Sequence, residues 1–517
     1  MKQAMIRMTV VLVAMAALGS GAMALQQTVN STDSAATIQA AINAVLASAD
    51  ASGEVVFNAG TYVLSASLDV IMNSDGDITL RGSDPNNRPI LVCPNYTGAG
   101  AEDGCFTIGG TGTTLTFKDM IILPPDVGGS PFANAEVIGI GGRSTLANDT
   151  LNFENVLLTG NAGGNVPAGT DGTADPRTFP NLTRFENACI NLLPAAANVN
   201  TLIINATNLI CSMGGAEGYY LAGGTGSRGA LNATFTNCVF TWNAADGFRS
   251  TNIGNDDRYI GCVFNWNGAG QNFDSQNQGI HNSSRAVDDG GSSYFEGCEA
   301  SYNADRGFYI GTERYGTVID CTAIENGFFP GGLPAGAFAA TGFDFTGGSS
   351  QQNFLLDGAY CQNNGGGSIK ISGGQAPTAA TANCTIRNVV SLRNGNNEDI
   401  ARDSSGYRGG IQFGGEVTGL LENCYIENSS GVAIWHDSAL GGTYEPESVT
   451  IQDCTVVHAG MNGVLVWDVA DNADVTLRNV TLIDTSNDPA AITGSANRGS
   501  AINMRAPGLP ANGSVTL

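Results

Sequence analysis

The chain has 517 residues, of which 22 are Lys or Arg and 47 are Asp or Glu, so its formal net charge is −25. A surface of this charge repels nucleic acids, anionic lipids and polyanionic glycans unless cations intervene. Apolar residues make up 42% of the chain and charged residues 13%, so the composition favours a large core over disorder.

The first 24 residues have the features of a secretory signal peptide. Lys2 and Arg7 supply a positive start, an apolar run extends over residues 8–18, and residues 22–24 form an Ala-x-Ala cleavage site. The run is too short to span a bilayer, and no later segment approaches ~18 uninterrupted apolar residues. The sequence therefore predicts an exported chain without a transmembrane segment; periplasm, cell surface and medium stay open as its destination.

The mature chain is predicted to begin with a cap. Residues 37–46 have the pattern of an Ala-rich amphipathic helix, with the apolar side chains on one face. A strand, a turn and a second strand follow over residues 53–62. A helix lying over the first coil would shield an open sheet edge from aggregation. We therefore assign residues 25–62 to the cap and the first coil of a single domain, which covers residues 25–517.

One sequence pattern recurs along this domain: an apolar residue, usually β-branched or aromatic, then a bend at Asn, Asp or Gly, then a small apolar residue. The period of roughly 23–40 residues is typical of a solenoid. The copies are Phe235–Cys238, Tyr259–Cys262, Phe295–Cys298, Val318–Cys321, Leu421–Cys424 and Ile451–Cys454, with fainter ones at Phe117–Met120, Phe153–Val156, Ile386–Val389 and Leu477–Val480.

Each copy indicates short strands joined at Asn and Gly bends, where these residues tolerate left-handed backbone angles. One coil cannot bury its inward side chains alone, so coils must stack around a shared core. Stacked strands lie ~4.8 Å apart, and a dozen coils would form a rod of roughly 60 Å. The predicted fold class is all-β: a right-handed parallel β-helix with an N-terminal capping helix.

The twelve cysteines divide into two groups. Six of them occupy the small apolar slot of the repeat, which Val and Met fill in other copies, so we interpret them as a buried stack rather than as reactive thiols. Of the others, Cys93 and Cys105 bracket a Gly-rich segment and are the best candidates for a disulfide. Cys189/Cys211 and Cys361/Cys384 are weaker candidates. Neither a CxxC motif nor a Cys/His cluster indicates zinc.

Long insertions between strands are the expected place for a binding surface in a solenoid. We assign them to Asn267–Ser293, Gly327–Ser350 and Gly395–Tyr407. The first insertion and its neighbouring coils form the densest group of carboxylates and arginines in this charge-poor chain. Its members include Asp246, Arg249, His281, Arg285, Asp288, Asp289, Asp305 and Arg306. Separately, Trp435 and His436 at the end of a later strand could hold a sugar ring by stacking, or could be ordinary structural residues.

The N-terminal segment resembles the pectin-lyase-like superfamily, whose members often open with an amphipathic helix and a G-x-V-x-x-P-x-G-x-Y segment. Gly53, Val55, Gly60 and Tyr62 match that segment, and Asn58 replaces the usual Pro. The resemblance covers essentially the whole mature chain and implies the β-helix, but it leaves the activity open.

Later coils resemble β-helical pectate lyases that use a lysine base, whose coils often read Asn-Ala-Asp-Asp-Gly-Phe-Asp and Gly-Phe-Lys-Leu-Gly-Gly. Residues 243–249 and 303–308 are similar to the first motif, and residues 342–348 are similar to the second. Asp344 stands where that family places its lysine. Polygalacturonase motifs are missing apart from isolated Asp-Asp pairs.

The resemblance implies a polysaccharide lyase-like enzyme in which calcium offsets the substrate carboxylate and a base removes a proton. The expected catalytic residues are Arg285, Arg306 and Asp246. The expected calcium ligands are Asp288, Asp289 and Asp305, and the expected substrate-binding residues are His281, Arg249, Trp435 and His436. The alternative is a non-catalytic surface protein that uses the rod for binding, adhesion or self-assembly; the missing lysine and the acidic surface favour it.

Overall fold

The structure of the chain is a computed structural model. It describes residues 25–48, 52–71, 76–95, 104–126, 139–147, 149–170, 182–194, 201–221, 230–250, 257–268, 277–283, 291–311, 315–327, 340–346, 352–372, 382–395, 409–414, 417–437, 448–467, 474–485, 500–505 and 514–517. The predicted signal peptide lies outside these ranges. Within them, no helix has the length and apolarity needed to cross a membrane.

The chain folds as a right-handed parallel β-helix, as the sequence predicts. Each full coil runs through three faces, which we number in chain order. Face 1 carries the longer strands, face 2 the short strands after the first bend, and face 3 a separate 14-stranded sheet. One continuous apolar core extends from Val29 to Leu477 between the faces.

Face 1 and the early part of face 2 form one 20-stranded sheet. Its strands are β1 (Leu25–Val29), β2 (Gly53–Phe57), β3 (Thr61–Val63), β5 (Asp77–Gly82), β6 (Ile90–Val92), β8 (Thr114–Leu123), β10 (Thr150–Leu158), β14 (Thr201–Thr207), β15 (Ile210–Ser212), β17 (Ala230–Thr236), β18 (Val239–Thr241), β20 (Asp257–Ile260), β22 (Ser292–Glu296), β24 (Tyr315–Ile319), β27 (Gln352–Asp357), β30 (Ala382–Arg387), β33 (Val417–Glu422), β36 (Ser448–Gln452), β39 (Asp474–Arg478) and β42 (Ser514–Thr516).

Face 3 comprises β4 (Leu68–Ile71), β7 (Phe106–Thr111), β9 (Ile140–Ala147), β13 (Ile190–Pro194), β16 (Tyr219–Leu221), β19 (Phe248–Ser250), β21 (Ile280–Ser283), β23 (Phe308–Gly311), β26 (Thr341–Thr346), β29 (Gly367–Ser372), β32 (Gly409–Gly414), β35 (Ile434–Asp437), β38 (Val464–Trp467) and β41 (Ile502–Arg505). The later part of face 2 comprises β25 (Thr322–Ile324), β28 (Tyr360–Gln362), β31 (Val390–Leu392), β34 (Tyr425–Glu427), β37 (Thr455–Val457) and β40 (Thr481–Ile483). A small antiparallel pair joins β11 (Asn161–Ala162) to β12 (Leu182–Thr183).

The capping helix α1 spans Ala35–Leu46, two residues more than predicted at its N-terminus. Ser34 explains the earlier start, because its hydroxyl accepts a backbone N–H of the first turn (3.2 Å). Ile38 and Ile42 are fully buried against the first coil. The predicted cap is therefore confirmed.

The first bend of the coil recurs with one backbone geometry. The bend residue has a φ between 49° and 73°, the left-handed region that Asn, Asp and Gly tolerate best. These residues are Asp119, Asn155, Asn208, Asn237, Gly261, Gly297, Asp320, Gly358, Asn388, Asn423, Asp453 and Asn479. The residue after each one enters the small apolar slot, so the repeat found in the sequence is the first bend of each coil.

The second bend also has positive φ, but its residue types are mixed. Trp242, Trp266 and Tyr302 occupy it in three successive coils, each with a φ of 59°. Their rings stack nearly parallel, with centroid distances of 5.0 Å and 4.2 Å. Bulky side chains rarely adopt this positive φ, and here all three of them stack on a ring of a neighbouring coil.

A buried ladder of asparagines follows the second bend. The side-chain amide of every member but the last donates to the Oδ1 of the asparagine in the next coil, at 2.9–3.1 Å. The Oδ1 of every member but the first also accepts the backbone N–H of the preceding asparagine. The ladder consists of Asn243, Asn267, Asn303, Asn326, Asn364 and Asn394, all fully buried. It satisfies polar backbone groups at a bend that water does not reach.

The cysteines of the slot form the expected buried stack: Cys238, Cys262, Cys298, Cys321, Cys424 and Cys454. None of the candidate disulfides is formed, because all twelve cysteines are present as thiols. Cys93 and Cys105 are both buried in the core and contact each other there as thiols, and burial together with Cys93 raises the pKa of Cys105.

Candidate functional site

The outer surface of face 3 carries a row of polar and aromatic side chains on six consecutive strands, which we call the face-3 row. Alternation along each strand turns residues such as Phe248 and Ile280 fully inside the coil, so the next residue points outward. Parallel register then sets these outward residues side by side. The row consists of Tyr220, Arg249, His281, Tyr309, Asp344 and Lys370.

Two of the row's strands lie inside segments that the sequence analysis interpreted as insertions. β21 falls within Asn267–Ser293, and β26 falls within Gly327–Ser350. Both strands pair in register with their neighbours, so the coils are complete there and the interpretation as interruptions of the solenoid is corrected. Most of the rest of these two segments, and nearly all of the third, Gly395–Tyr407, lies outside the described residues.

Carboxylates at the entry to face 3 hold the bends together. Asp246 Oδ1 accepts the backbone N–H of Gln278 (2.8 Å), and Asp305 Oδ1 accepts that of Ala340 (2.8 Å). Each aspartate thus binds the backbone of the next coil. Asp246 is fully buried and Asp305 is 4% exposed. The predicted catalytic Asp246 and the predicted metal ligand Asp305 therefore both have a structural task.

Arg306 is the centre of an ionic cluster. Its Nε lies 2.7 Å from Asp344 Oδ2, and its Nη1 lies 3.6 Å from Asp305 Oδ2. The guanidinium carbon also lies 4.8 Å from the centre of the Tyr309 ring. Burial acts to lower the pKa of Arg306, but the charges of Asp344 and Asp305 outweigh it and raise that pKa. Arg306 is therefore suited to the role of a fixed cation and poorly suited to that of a base.

Lys370 adjoins this cluster and was not among the predicted site residues. It is the register partner of Asp344, its Nζ lies 4.0 Å from Asp344 Oδ2, and its side chain is 30% exposed. The signal was present in the sequence, since residues 342–346 and 367–372 have the same alternation. The lysine expected at position 344 is thus found one coil later on the same face.

Tyr309 was not predicted as a site residue either, although it directly follows residues 303–308, which are similar to the first lyase motif. Its ring meets that of His281 edge to face at a centroid distance of 4.8 Å. Burial, and then the charge of Asp344, raise the pKa of the Tyr309 hydroxyl. The hydroxyl therefore stays protonated at neutral pH and can donate a proton or a hydrogen bond.

At the other end of the row, Arg249 pairs with Glu217, which lies just before β16. Arg249 Nη1 lies 3.1 Å from Glu217 Oε1, and its guanidinium lies over the Tyr220 ring. Burial raises the pKa of Glu217, and the nearby charge of Asp246 raises it further, against the opposing effect of Arg249. The predicted substrate-binding residue Arg249 is thus part of a local ion pair at the surface of the row.

His281 connects the bend to the strand. Its Nδ1 lies 3.5 Å from Asp246 Oδ2, and its Nε2 lies 3.0 Å from the Ser283 hydroxyl. His281 is 8% exposed, and Ser283 is half-buried. The structure therefore brings together the predicted residues Asp246 and His281, and adds Ser283, which was not predicted as a site residue.

The remaining predicted residues are not part of this cluster. Trp435 is 5% exposed and packs with Val432, Met461 and Leu465, while His436 is directed into the coil and is 2% exposed. Their burial corrects the idea of an exposed surface on which a sugar could stack. His436 lies inside because it is the register partner of inward residues in the neighbouring strands.

Arg285, Asp288 and Asp289 lie outside the described residues, so two of the three predicted calcium ligands have no described geometry. In the ranges that the structure describes, no group of three or more His, Cys, Asp or Glu could hold a metal ion. The third predicted ligand, Asp305, is engaged by a backbone N–H and by Arg306. The described residues therefore do not fit a calcium site, and we derive no step through calcium.

A family model for the right handed beta helix region matches residues 195–388. No curated protein matches the sequence. Among solved structures, the chain is similar to the catalytic unit of a thermostable GH87 alpha-1,3-glucanase from Streptomyces thermodiastaticus (13% identity, 96% of this chain and 69% of that chain, TM-score 0.38).

The chain is also similar to the pectate lyase Pel9A (14% identity, 75% of this chain and 85% of that chain, TM-score 0.37). A third similar structure is the A-module of the mannuronan C-5 epimerase AlgE6 from Azotobacter vinelandii (12% identity, 94% of this chain and 95% of that chain, TM-score 0.30). At these identities and TM-scores the likeness carries no information about chemistry.

Proposed function

We propose that this protein is an exported, carbohydrate-active β-helix protein that cleaves an extracellular acidic polysaccharide as a lyase-like enzyme. The observation that supports the proposal is the face-3 row. It sets Arg249, His281, Tyr309 and Lys370 on one outer surface of a chain that has only three lysines in all.

The direction of the row suits a polymer. Its six strands are stacked along the coil axis, and at ~4.8 Å per strand they cover roughly 24 Å. A linear glycan lying along the axis would therefore contact several side chains of the row in sequence. The fixed geometry of stacked strands holds those side chains in place.

The chemistry would divide among the residues as follows. In an elimination, a base removes the proton beside the uronate carboxylate, and an acid protonates the leaving oxygen. Lys370 is the partly exposed amine of the row and is our candidate for the base. Tyr309 keeps its proton at neutral pH and is our candidate for the acid. Arg306 and Arg249 are candidates for binding the substrate carboxylate.

The test is release of unsaturated uronides from pectate, alginate and glycosaminoglycans, followed by ultraviolet absorbance with calcium and then with a chelator. We expect Lys370→Ala and Tyr309→Phe each to reduce the rate by about 100-fold or more. Lys118→Ala is the matched control, because Lys118 pairs with Glu154 on face 1, away from the row. A folded wild-type protein that leaves every polymer intact would overturn the proposal.

A specific observation favours the non-catalytic alternative. Each lysine or arginine of the row already pairs with a carboxylate of the protein: Arg249 with Glu217, and Lys370, like neighbouring Arg306, with Asp344. Such a network can serve to bind a neutral glycan or only to stabilise the rod. Glycan binding without product release, or self-assembly detected by sedimentation, would favour this reading.

A further inference from the structure

We propose that Ser283, His281 and Asp246 form a nucleophile, base and orienting carboxylate that hydrolyse ester substituents. The two distances follow the order that this chemistry needs: the carboxylate lies 3.5 Å from Nδ1 of the imidazole, and the serine hydroxyl lies 3.0 Å from its Nε2. A nucleophile within reach of a base, with that base oriented by a third group, is the geometric signature of covalent acyl transfer.

The fold sets these residues rigidly. His281 and Ser283 are two positions apart on β21, so both side chains leave the same face of the strand. Asp246 comes from the bend of the preceding coil and is held there by the backbone N–H of Gln278. The triad is therefore built from two adjacent coils, and it places the serine outermost.

Two buried polar atoms at the site lack a hydrogen bond, and the mechanism would supply one to both. Asp246 Oδ2 and His281 Nδ1 are buried, and neither forms a hydrogen bond in the part of the chain that the structure describes. A buried carboxylate oxygen without a donor is costly. An Nδ1–H turned toward Asp246 would satisfy both atoms, and the pairing strengthens when the imidazole becomes positively charged.

The reaction balances with water as the only co-reactant. Ser283 Oγ attacks the ester carbonyl carbon while its proton passes to His281 Nε2. The carbon–oxygen bond to the alcohol then breaks, and His281 returns that proton to the leaving oxygen. Water next attacks the acyl-serine, gives a proton to His281, and releases the carboxylic acid as Ser283 regains its proton.

A cation on the neighbouring strand is our candidate donor for the developing oxyanion. Arg249 is the register partner of His281, and its Nε is buried without a hydrogen bond to any described residue. A guanidinium there can stabilise negative charge on the carbonyl oxygen. On the other side Gly311 is the register partner of Ser283, so that position carries no side chain.

The natural substrate class would be an O-acylated polysaccharide, such as an acetylated glycan lying along the face-3 row; this part of the inference rests on the proposed function. The esterase chemistry itself does not, because an activated aryl acetate needs no glycan. A wild-type protein that hydrolyses the ester but releases no unsaturated uronides would overturn the lyase proposal and leave the esterase proposal standing.

The experiment measures hydrolysis of 4-nitrophenyl acetate and covalent labelling by a fluorophosphonate probe, with the labelled peptide identified by mass spectrometry. We expect the label on Ser283, and a loss of 100-fold or more in rate for Ser283→Ala and His281→Gln. Ser372→Ala is the control, since Ser372 ends another strand of face 3 and should keep the wild-type rate.

Asp246→Asn keeps the oxygen that accepts the Gln278 N–H and should fold, yet it should lose at least tenfold in rate. Two results would overturn the proposal: labelling absent from Ser283 in folded protein, or a Ser283→Ala variant that hydrolyses the ester at the wild-type rate.

Discussion

Replacing Asn303 with alanine tests whether the buried asparagine ladder holds the second bend of the coils. Asn303 Nδ2 donates to the Phe264 carbonyl (2.8 Å) and to Asn326 Oδ1 (3.0 Å). Its Oδ1 accepts the backbone N–H and the side-chain amide of Asn267, at 3.0 Å and 3.1 Å. The variant removes all four hydrogen bonds at a position with no exposed surface.

The expected loss follows from the groups left behind. Three groups lose their hydrogen bond to the Asn303 side chain: the Phe264 carbonyl, the Asn267 backbone N–H and the Asn267 side-chain amide. Asn326 Oδ1 still accepts the backbone N–H of residue 303. Each buried group left without a partner costs about 1–3 kcal/mol. Since water entering the new space would recover part of this, we expect the free energy of unfolding to fall by about 3–5 kcal/mol, a large share of the stability of a typical domain.

The assay is denaturant unfolding followed by circular dichroism and by the fluorescence of the nearby tryptophans. Asn205→Ala is the matched control, because Asn205 donates one exposed hydrogen bond to Asn152 on the outside of face 1. We expect the control to change the free energy of unfolding by less than about 0.5 kcal/mol. Equal losses for the two variants would show that the ladder does not stabilise the bend.

Further predictions concern the slot, the first bend and the face-3 row. Cys424→Val should shift the unfolding free energy by less than about 1.5 kcal/mol in a denaturant titration, because the slot of the preceding coil already holds a valine. Gly358→Ala should lower the melting temperature, since φ is +73° and the new Cβ would lie 2.1 Å from Asp320 Oδ1. Burial raises the pKa of Glu217 above 4.5 in the folded protein, so its contribution to stability is complete below that pH and is lost as the pH rises. Glu217→Gln should therefore have a higher melting temperature than the wild type at neutral pH, and the difference should disappear below pH 4.5. A difference in melting temperature that is largest in acid would contradict this sign.

The sequence determined the coil because its signals are local. A bend residue such as Asn237 must tolerate positive φ, and the residue after it, Cys238, must be small enough for the slot. These demands repeat in each coil and are visible without knowing which coils are neighbours. The capping helix was equally local, since even its first residue is set by the neighbouring capping side chain of Ser34.

Tertiary structure decided the site, because coils of unequal length meet in a register that spacing does not reveal. Lys370 becomes the neighbour of Asp344, and His281 comes to lie between Asp246 and Ser283, only once the strands of face 3 are aligned. Register also decides which side of a strand faces the core, and it directs His436 inward although the sequence alone permitted a surface position. The sequence could predict the turns of the rod, whereas the chemistry along its side depends on contacts between residues distant in the chain.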